Sequence, residues 1–175
     1  MDKTQINKLL EEKHQKLYNW LDTKEGDFWA QGPENKWTIG QHIAHLADAN
    51  KRIQTALSIP SFILKAKFGK ANRPVRSIEE IIKRYNEKLA ANQEKAKEFN
   101  KNIAVPNKEE FEASLKVLKE STKRMMAKTL KFSDKKLDNV ILPHPLLGKM
   151  PLREIIMWTA YHTEHHTKDL IENYS

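Results

Sequence analysis

The sequence predicts an all-α fold: an antiparallel four-helix bundle with short extra helices or loops, in a single domain over residues 1–175. Three observations carry this. Apolar residues return every three or four positions through long segments, the signature of amphipathic helices. Only five glycines occur in 175 residues, and no alternating apolar and polar run is long enough to support a sheet. Hydrophobic residues at 39% and charged residues at 31% match a soluble globule rather than a disordered chain, and the length suits one domain with a real core.

The first helix is expected from about Thr4 to Leu21, where Ile6, Leu9, Leu10, Leu17, Trp20 and Leu21 fall on one face. Gly26 and Gly32-Pro33 then make a turn region. The second helix opens at Thr38, because Thr38-Ile39-Gly40-Gln41 is a capping box whose hydroxyl and amide satisfy helix-end donors. Its stripe is Ile39, Ile43, Leu46, Ile53 and Leu57, with Pro60 just beyond its end. Residues 58–76 mix Phe62, Ile63, Leu64 and Phe68 with basic residues, leaving room for a short helix or a lid. A second capping box, Ser77 to Glu80, opens a helix that buries Ile78, Ile81, Ile82, Tyr85, Leu89, Ala96 and Phe99. After Pro106 a long helix from Asn107 to about Lys131 carries Phe111, Leu115, Leu118, Thr122, Met125 and Thr129 inward. Prolines 143, 145 and 151 with Gly148 give residues 132–151 a turn or a short extended piece. Pro151 suits a first helical position, and the last helix runs to about Asn173.

The formal charge of +8 comes from 31 basic and 23 acidic residues, and its distribution is local. No acidic residue lies between Asp48 and Glu79, where Lys51, Arg52, Lys65, Lys67, Lys70, Arg73 and Arg76 all fall. Such a stretch is either a solvated face or a patch that attracts an anionic small molecule; in the second case Lys65, Lys67, Arg73 and Arg76 are the substrate-binding candidates. A nucleic-acid partner is not expected, since no binding motif or interleaved stacking aromatics accompany the charge. Neither a signal peptide nor an apolar run of membrane-spanning length appears, so the expected location is cytoplasmic. The absence of cysteine restricts any metal to nitrogen or oxygen ligands.

Three of the seven histidines stand in YHTEHHTKDL, residues 161–170. At about 100° per residue, Leu152, Ile155, Thr159, His162, His166 and Leu170 share one stripe, so His162 and His166 occupy positions where leucines would serve. Histidines four apart aim at one point, as in the zinc motif HExxH. That motif is not present, however, because Thr163 follows His162 and Glu164 faces away. Tyr161 and His165 flank the stripe. The second helix offers a third histidine: His42 lies closer to the centre of its stripe, and His45 lies on the flank near Ala49 and Ala56. Periodicity prefers His42, and either residue would complete a three-histidine set in a bundle core.

Trp37-Thr38, His45-Leu46-Ala47-Asp48 and His162-Thr163-Glu164-His165-His166 together resemble the DinB-like superfamily, in particular its YfiT-type metal-dependent hydrolases and bacillithiol transferases. The resemblance implies a four-helix bundle in which one histidine of the second helix and an HxxxH pair of the last hold a divalent metal (zinc, nickel, iron or manganese). It places the ligands at His45, His162 and His166 and leaves His42, His165, Tyr161 and Asp169 as neighbours of the ligands. Many relatives carry Gly-Gln after the second ligand of that pair, where this chain has Thr167-Lys168-Asp169. A homodimer is the assembly expected of such a bundle, although no sequence feature marks an interface.

Three functions follow as expectations. Metal-activated water would give hydrolysis of a small molecule, but no general base stands in register with the histidines. A low-molecular-weight thiol cosubstrate would bring its own nucleophile, so the protein need only hold metal, orient an anionic thiol and admit an electrophile; this transferase reading is the preferred one. The third is a non-catalytic metal-binding protein of the stress response.

Overall fold

The computed structural model describes residues 1–94, 98 and 102–174. Among them are seven α-helices and one hairpin: α1 (Lys3–Leu21), α2 (Ile39–Ala56), α3 (Ser61–Phe68), α4 (Ile78–Ala91), α5 (Lys108–Lys131), α6 (Asp134–Asn139), β1 (Ile141–His144), β2 (Gly148–Pro151) and α7 (Leu152–Asn173). A single 3-10 turn at Phe28–Ala30 lies between α1 and α2. The fold is therefore mostly helical, as the sequence predicts.

Local chemistry sets the helix starts. The side chains of Asp2, Thr38, Ser77 and Asn107 each accept a hydrogen bond from the backbone N–H three residues on, and the side-chain oxygen of the Gln or Glu at that third position accepts one from the cap residue's backbone N–H. These reciprocal boxes satisfy donors that a helix end leaves open. The helix after Ser77 is shorter than expected: α4 stops at Ala91 with Asn92 as its cap, while Ala96 and Phe99 lie outside the described residues. Pro151 is one step earlier than expected. It still pairs with Ile141 across the hairpin, so it caps α7 and leaves Leu152 as the first helical residue.

The four longest helices form the bundle in the ring order α1, α7, α2, α5. His42 and His45 of α2 meet His166 and His162 of α7 in reverse order, and Asn7 and Lys3 of α1 meet Met126 and Leu130 of α5 in reverse order; both pairs are antiparallel. Contacts along α1 and α7 run in the same direction, from Met1 with Arg153 to His14 with Thr163 and Lys24 with Tyr174. The long crossover through α3 and α4 permits this two-up, two-down order, since a short loop could not return the chain to the same end. Helix α4 packs outside the ring against α7.

Helix α7 is the spine, buried on every side from Leu152 to Ala160, which explains why its apolar face is wider than a single stripe. Apolar side chains gather in two clusters along it. One includes Leu10, Met125, Leu152 and Ile156; the other includes Leu17, Ile43, Leu46, Leu118 and Leu170. Gly40 is required by proximity: a Cβ there would stand 2.4 Å from the Pro106 ring and 2.8 Å from the Trp29 carbonyl, so its absence lets the start of α2 lie against these loops. No helix among the described residues is long and apolar enough to cross a membrane.

Candidate metal centre

Residues three or four apart on a helix stand one above the other on one face, so α2 presents His42 and His45 and the antiparallel α7 presents His166 and His162 to the same interhelical seam. His45, His162 and His166 each offer one ligand atom within 4.8 Å of the others. Their Nε2 atoms converge: His45 to His162 is 3.0 Å and His162 to His166 is 3.1 Å. His162 and His166 are buried, and His45 is half-buried.

These separations fit one ion. With metal–nitrogen bonds near 2.1 Å, imidazoles at right angles hold their nitrogens about 3.0 Å apart and a tetrahedral pair about 3.4 Å. A hydrogen-bond reading fits less well. The Nε2 of a neutral imidazole has a single in-plane direction for a proton or lone pair, yet that of His162 faces two other nitrogens at once. Its other nitrogen, Nδ1, is buried with no hydrogen-bond partner among the described residues.

Electrostatics keep the donors available. Burial pushes the pKa of His45 down to about 4, with Asp48 opposing and His165 adding to the effect. Burial also holds His162 and His166 well below the ordinary histidine value, with the neighbouring imidazoles adding to it. Neutral imidazole is the form that binds metal.

Two tryptophans hold the rings in place. Trp158, one turn before His162, lies nearly parallel to it at 17° and 4.5 Å between ring centres; Trp37 lies at 10° and 6.0 Å to His166. His144 stands edge-on to Trp158, and its Nδ1 accepts from the N–H groups of Leu146 and Leu147, closing the hairpin turn.

A model of the DinB superfamily matches residues 9–170, covering the bundle and all three histidines. The chain belongs to the DinB superfamily. No curated protein and no solved structure matches it.

The other predicted residues of this DinB chain take different places. His42 is buried against the site, with Nδ1 2.9 Å from Nδ1 of His166. His165 is half-buried and faces Tyr85 and Tyr161 edge-on or tilted. Tyr161 donates its hydroxyl proton to Asn86 on α4, so it ties α4 to α7. Asp169 places an oxygen 3.6 Å from Nε2 of His42, and its other oxygen accepts from Asn173. Glu164 pairs with Lys13 and Lys168, consistent with its direction on the wheel.

Among the basic candidates, Arg73 and Arg76 are turned inward. Arg73 donates two hydrogen bonds to the buried Glu154, at 2.5 and 2.8 Å, and Arg76 adds its backbone N–H and one guanidinium nitrogen. Lys65 and Lys67 lie in the last turn of α3. A surface cavity of about 330 Å³ beside this clamp is lined by Lys70, Arg73 and Lys149 among others, and by none of the histidines.

Sequence reasoning missed Trp158, His144 and Tyr174 as neighbours of the site. Trp158 had a usable signal, standing four residues before His162 on the same face; Tyr174 had none, because it lies past the helix end.

Proposed function

We propose that this DinB-superfamily chain is a metal-dependent enzyme that holds a divalent ion through His45, His162 and His166 and transfers a low-molecular-weight thiol to an electrophilic small molecule. The observation that carries the proposal is the convergence of three neutral Nε2 atoms within 4.8 Å. A divalent ion bound by neutral ligands alone keeps its full charge and open positions, and so lowers the pKa of a thiol or water that joins it.

Transfer is favoured over hydrolysis by where the carboxylates are committed. Hydrolysis calls for a base within hydrogen-bond reach of the attacking water. Asp48 pairs with Arg52 at 2.6 Å, Glu164 with Lys13 at 2.9 Å, and Glu154 with the two arginines. In thiol transfer the sulfur forms a bond to the electrophilic carbon, the leaving group departs with its electron pair, and the thiol proton passes to solvent. The protein's own residues need only bind and orient. Trp37 and Trp158 form apolar walls beside the ligands, and His45 and His165 are the less buried histidines of the cluster.

Metal content of untagged protein tests the first half. About one ion per chain is expected, falling away in His162→Ala and His166→Ala; metal retained by both variants refutes the ligand set, and no metal in the parent refutes the catalytic reading. Incubating loaded protein with low-molecular-weight thiols and a model electrophile, against ester and amide substrates, tests the second half. Thioether product supports transfer, and ester or amide cleavage alone refutes it.

A further inference from the structure

A chain of hydrogen bonds runs from the backbone to the candidate ligand His166, and its direction can be read from chemistry. The carbonyl of Trp37 can only accept, so the Tyr174 hydroxyl, 2.6 Å away, donates its single proton there. The tyrosine oxygen is also 3.1 Å from Nε2 of His42. With its proton already spent, it must accept from that nitrogen. Asp169 approaches the same Nε2 at 3.6 Å, and a carboxylate likewise asks for a proton on it.

His42 is buried, and a buried imidazole is kept neutral by the cost of desolvating its charge. A proton on its Nε2 leaves Nδ1 as a lone pair. Nδ1 of His166 lies 2.9 Å from it, so the proton between them belongs to His166. Neutral His166 then has an unprotonated Nε2, and that is the atom facing His162 at 3.1 Å.

We infer that Tyr174, His42 and Asp169 form a positioning relay that locks His166 as the Nδ1–H tautomer, with its Nε2 lone pair aimed at the centre of the histidine cluster before any metal arrives. Partners that fix a ligand imidazole in this way are usually carboxylates or carbonyls in direct contact with it; here the carboxylate acts through a second imidazole. His162 has no such support among the described residues, where its Nδ1 is without a partner, so the relay makes His166 the pre-set member of the α7 pair. The inference rests on the metal reading above only for its affinity arm.

The test has two readouts. Long-range proton–nitrogen correlation spectra of metal-free, 15N-labelled protein are expected to show His166 with the proton on Nδ1 and His42 with it on Nε2. Zinc affinity, measured by competition with a chromophoric chelator, is expected to fall about 10–100-fold in His42→Leu and to stay close to the parent in His42→Gln, whose amide oxygen can accept from His166. Where His42→Leu does not fold, Tyr174→Phe combined with Asp169→Ala keeps both rings and is expected to mix the two tautomers of His42. A proton on Nε2 of His166 in the parent overturns the inference, as does a variant set that leaves both tautomers and affinity unchanged. If the parent binds no zinc, the metal reading fails while the spectra still decide the relay.

Discussion

The Glu154 clamp gives a prediction whose size can be worked through. The Glu154 side chain is fully buried and accepts from two nitrogens of Arg73, the Arg76 backbone and the Arg76 guanidinium. Burial alone would push its carboxyl pKa up; the Arg73 hydrogen bonds, the Arg76 N–H and the two positive charges together hold it below its ordinary value. Glu154→Gln keeps the shape, removes the charge and leaves two neighbouring guanidinium groups facing an amide. Breaking a buried pair from one side costs about 3–5 kcal/mol. The arginine side chains are 26% and 23% exposed, so solvent screens part of this and the lower end applies. For a domain of this size each kcal/mol moves Tm by about 2–4 °C, which puts the drop at about 6–12 °C. The pH dependence has a definite sign. A depressed folded-state pKa contributes stability that is full above the unfolded-state value and is lost as pH falls through the folded value, so the difference between parent and variant should shrink in acid. Thermal melts by circular dichroism at neutral and acid pH check both parts. A variant within about 0.5 kcal/mol of the parent at neutral pH, the range of an ordinary surface change, refutes the reasoning.

Three other outcomes follow from the same structure. Zinc at a hundredfold excess over its dissociation constant should stabilise the parent by about 2.7 kcal/mol and leave the melt of His162→Ala unmoved, as differential scanning fluorimetry would show. His14 is buried, donates from Nδ1 to the Leu10 carbonyl and accepts at Nε2 from Asn50, and burial lowers its pKa to about 4. Between pH 6.5 and 4 the unfolded chain therefore binds more protons than the folded one, and stability contributed by this site, on the order of 3 kcal/mol, is full above that window and lost as pH falls through it; urea titrations should show a shallower slope in His14→Gln. Gly40→Ala places its methyl group against the Trp29 carbonyl and the Pro106 ring, and overpacking of this kind costs about 1–3 kcal/mol, measurable as a lower urea midpoint.

Most of the helical frame was legible in the chain because helix starts and faces are local properties. The boxes at Thr38 and Ser77 and the stripe through Phe111, Leu118 and Met125 appear where their spacing puts them. The short helix α6 was not expected: its six residues carry little periodicity, and the Ser133 cap alone announces it. In the site, the pair His162 and His166 was visible on one face, but periodicity preferred His42 over His45, and only the resemblance to the DinB-like superfamily pointed to His45, the histidine that joins the cluster. A helical wheel gives direction about one axis, without the phase of the neighbouring helix, and residues three apart both face the seam. The structure uses both, His45 toward His162 and His42 toward the far nitrogen of His166. The inward turn of Arg73 and Arg76 was illegible for a related reason, since their partner Glu154 lies 81 and 78 residues away and a run of positive charge does not reveal a single buried carboxylate.

The two indole rings laid flat beside the histidines make this pocket optically self-reporting. Indole emission is quenched by electron transfer to an adjacent imidazolium and by many divalent ions, and Trp158 and Trp37 lie within 4.5 and 6.0 Å of His162 and His166. The other two tryptophans are occupied elsewhere, Trp20 beneath Lys24 and Trp29 against Phe111, and supply a steady background. Adding a paramagnetic divalent ion such as nickel in place of zinc is therefore expected to dim Trp37 and Trp158 in unlabelled protein against the unchanged emission of Trp20 and Trp29.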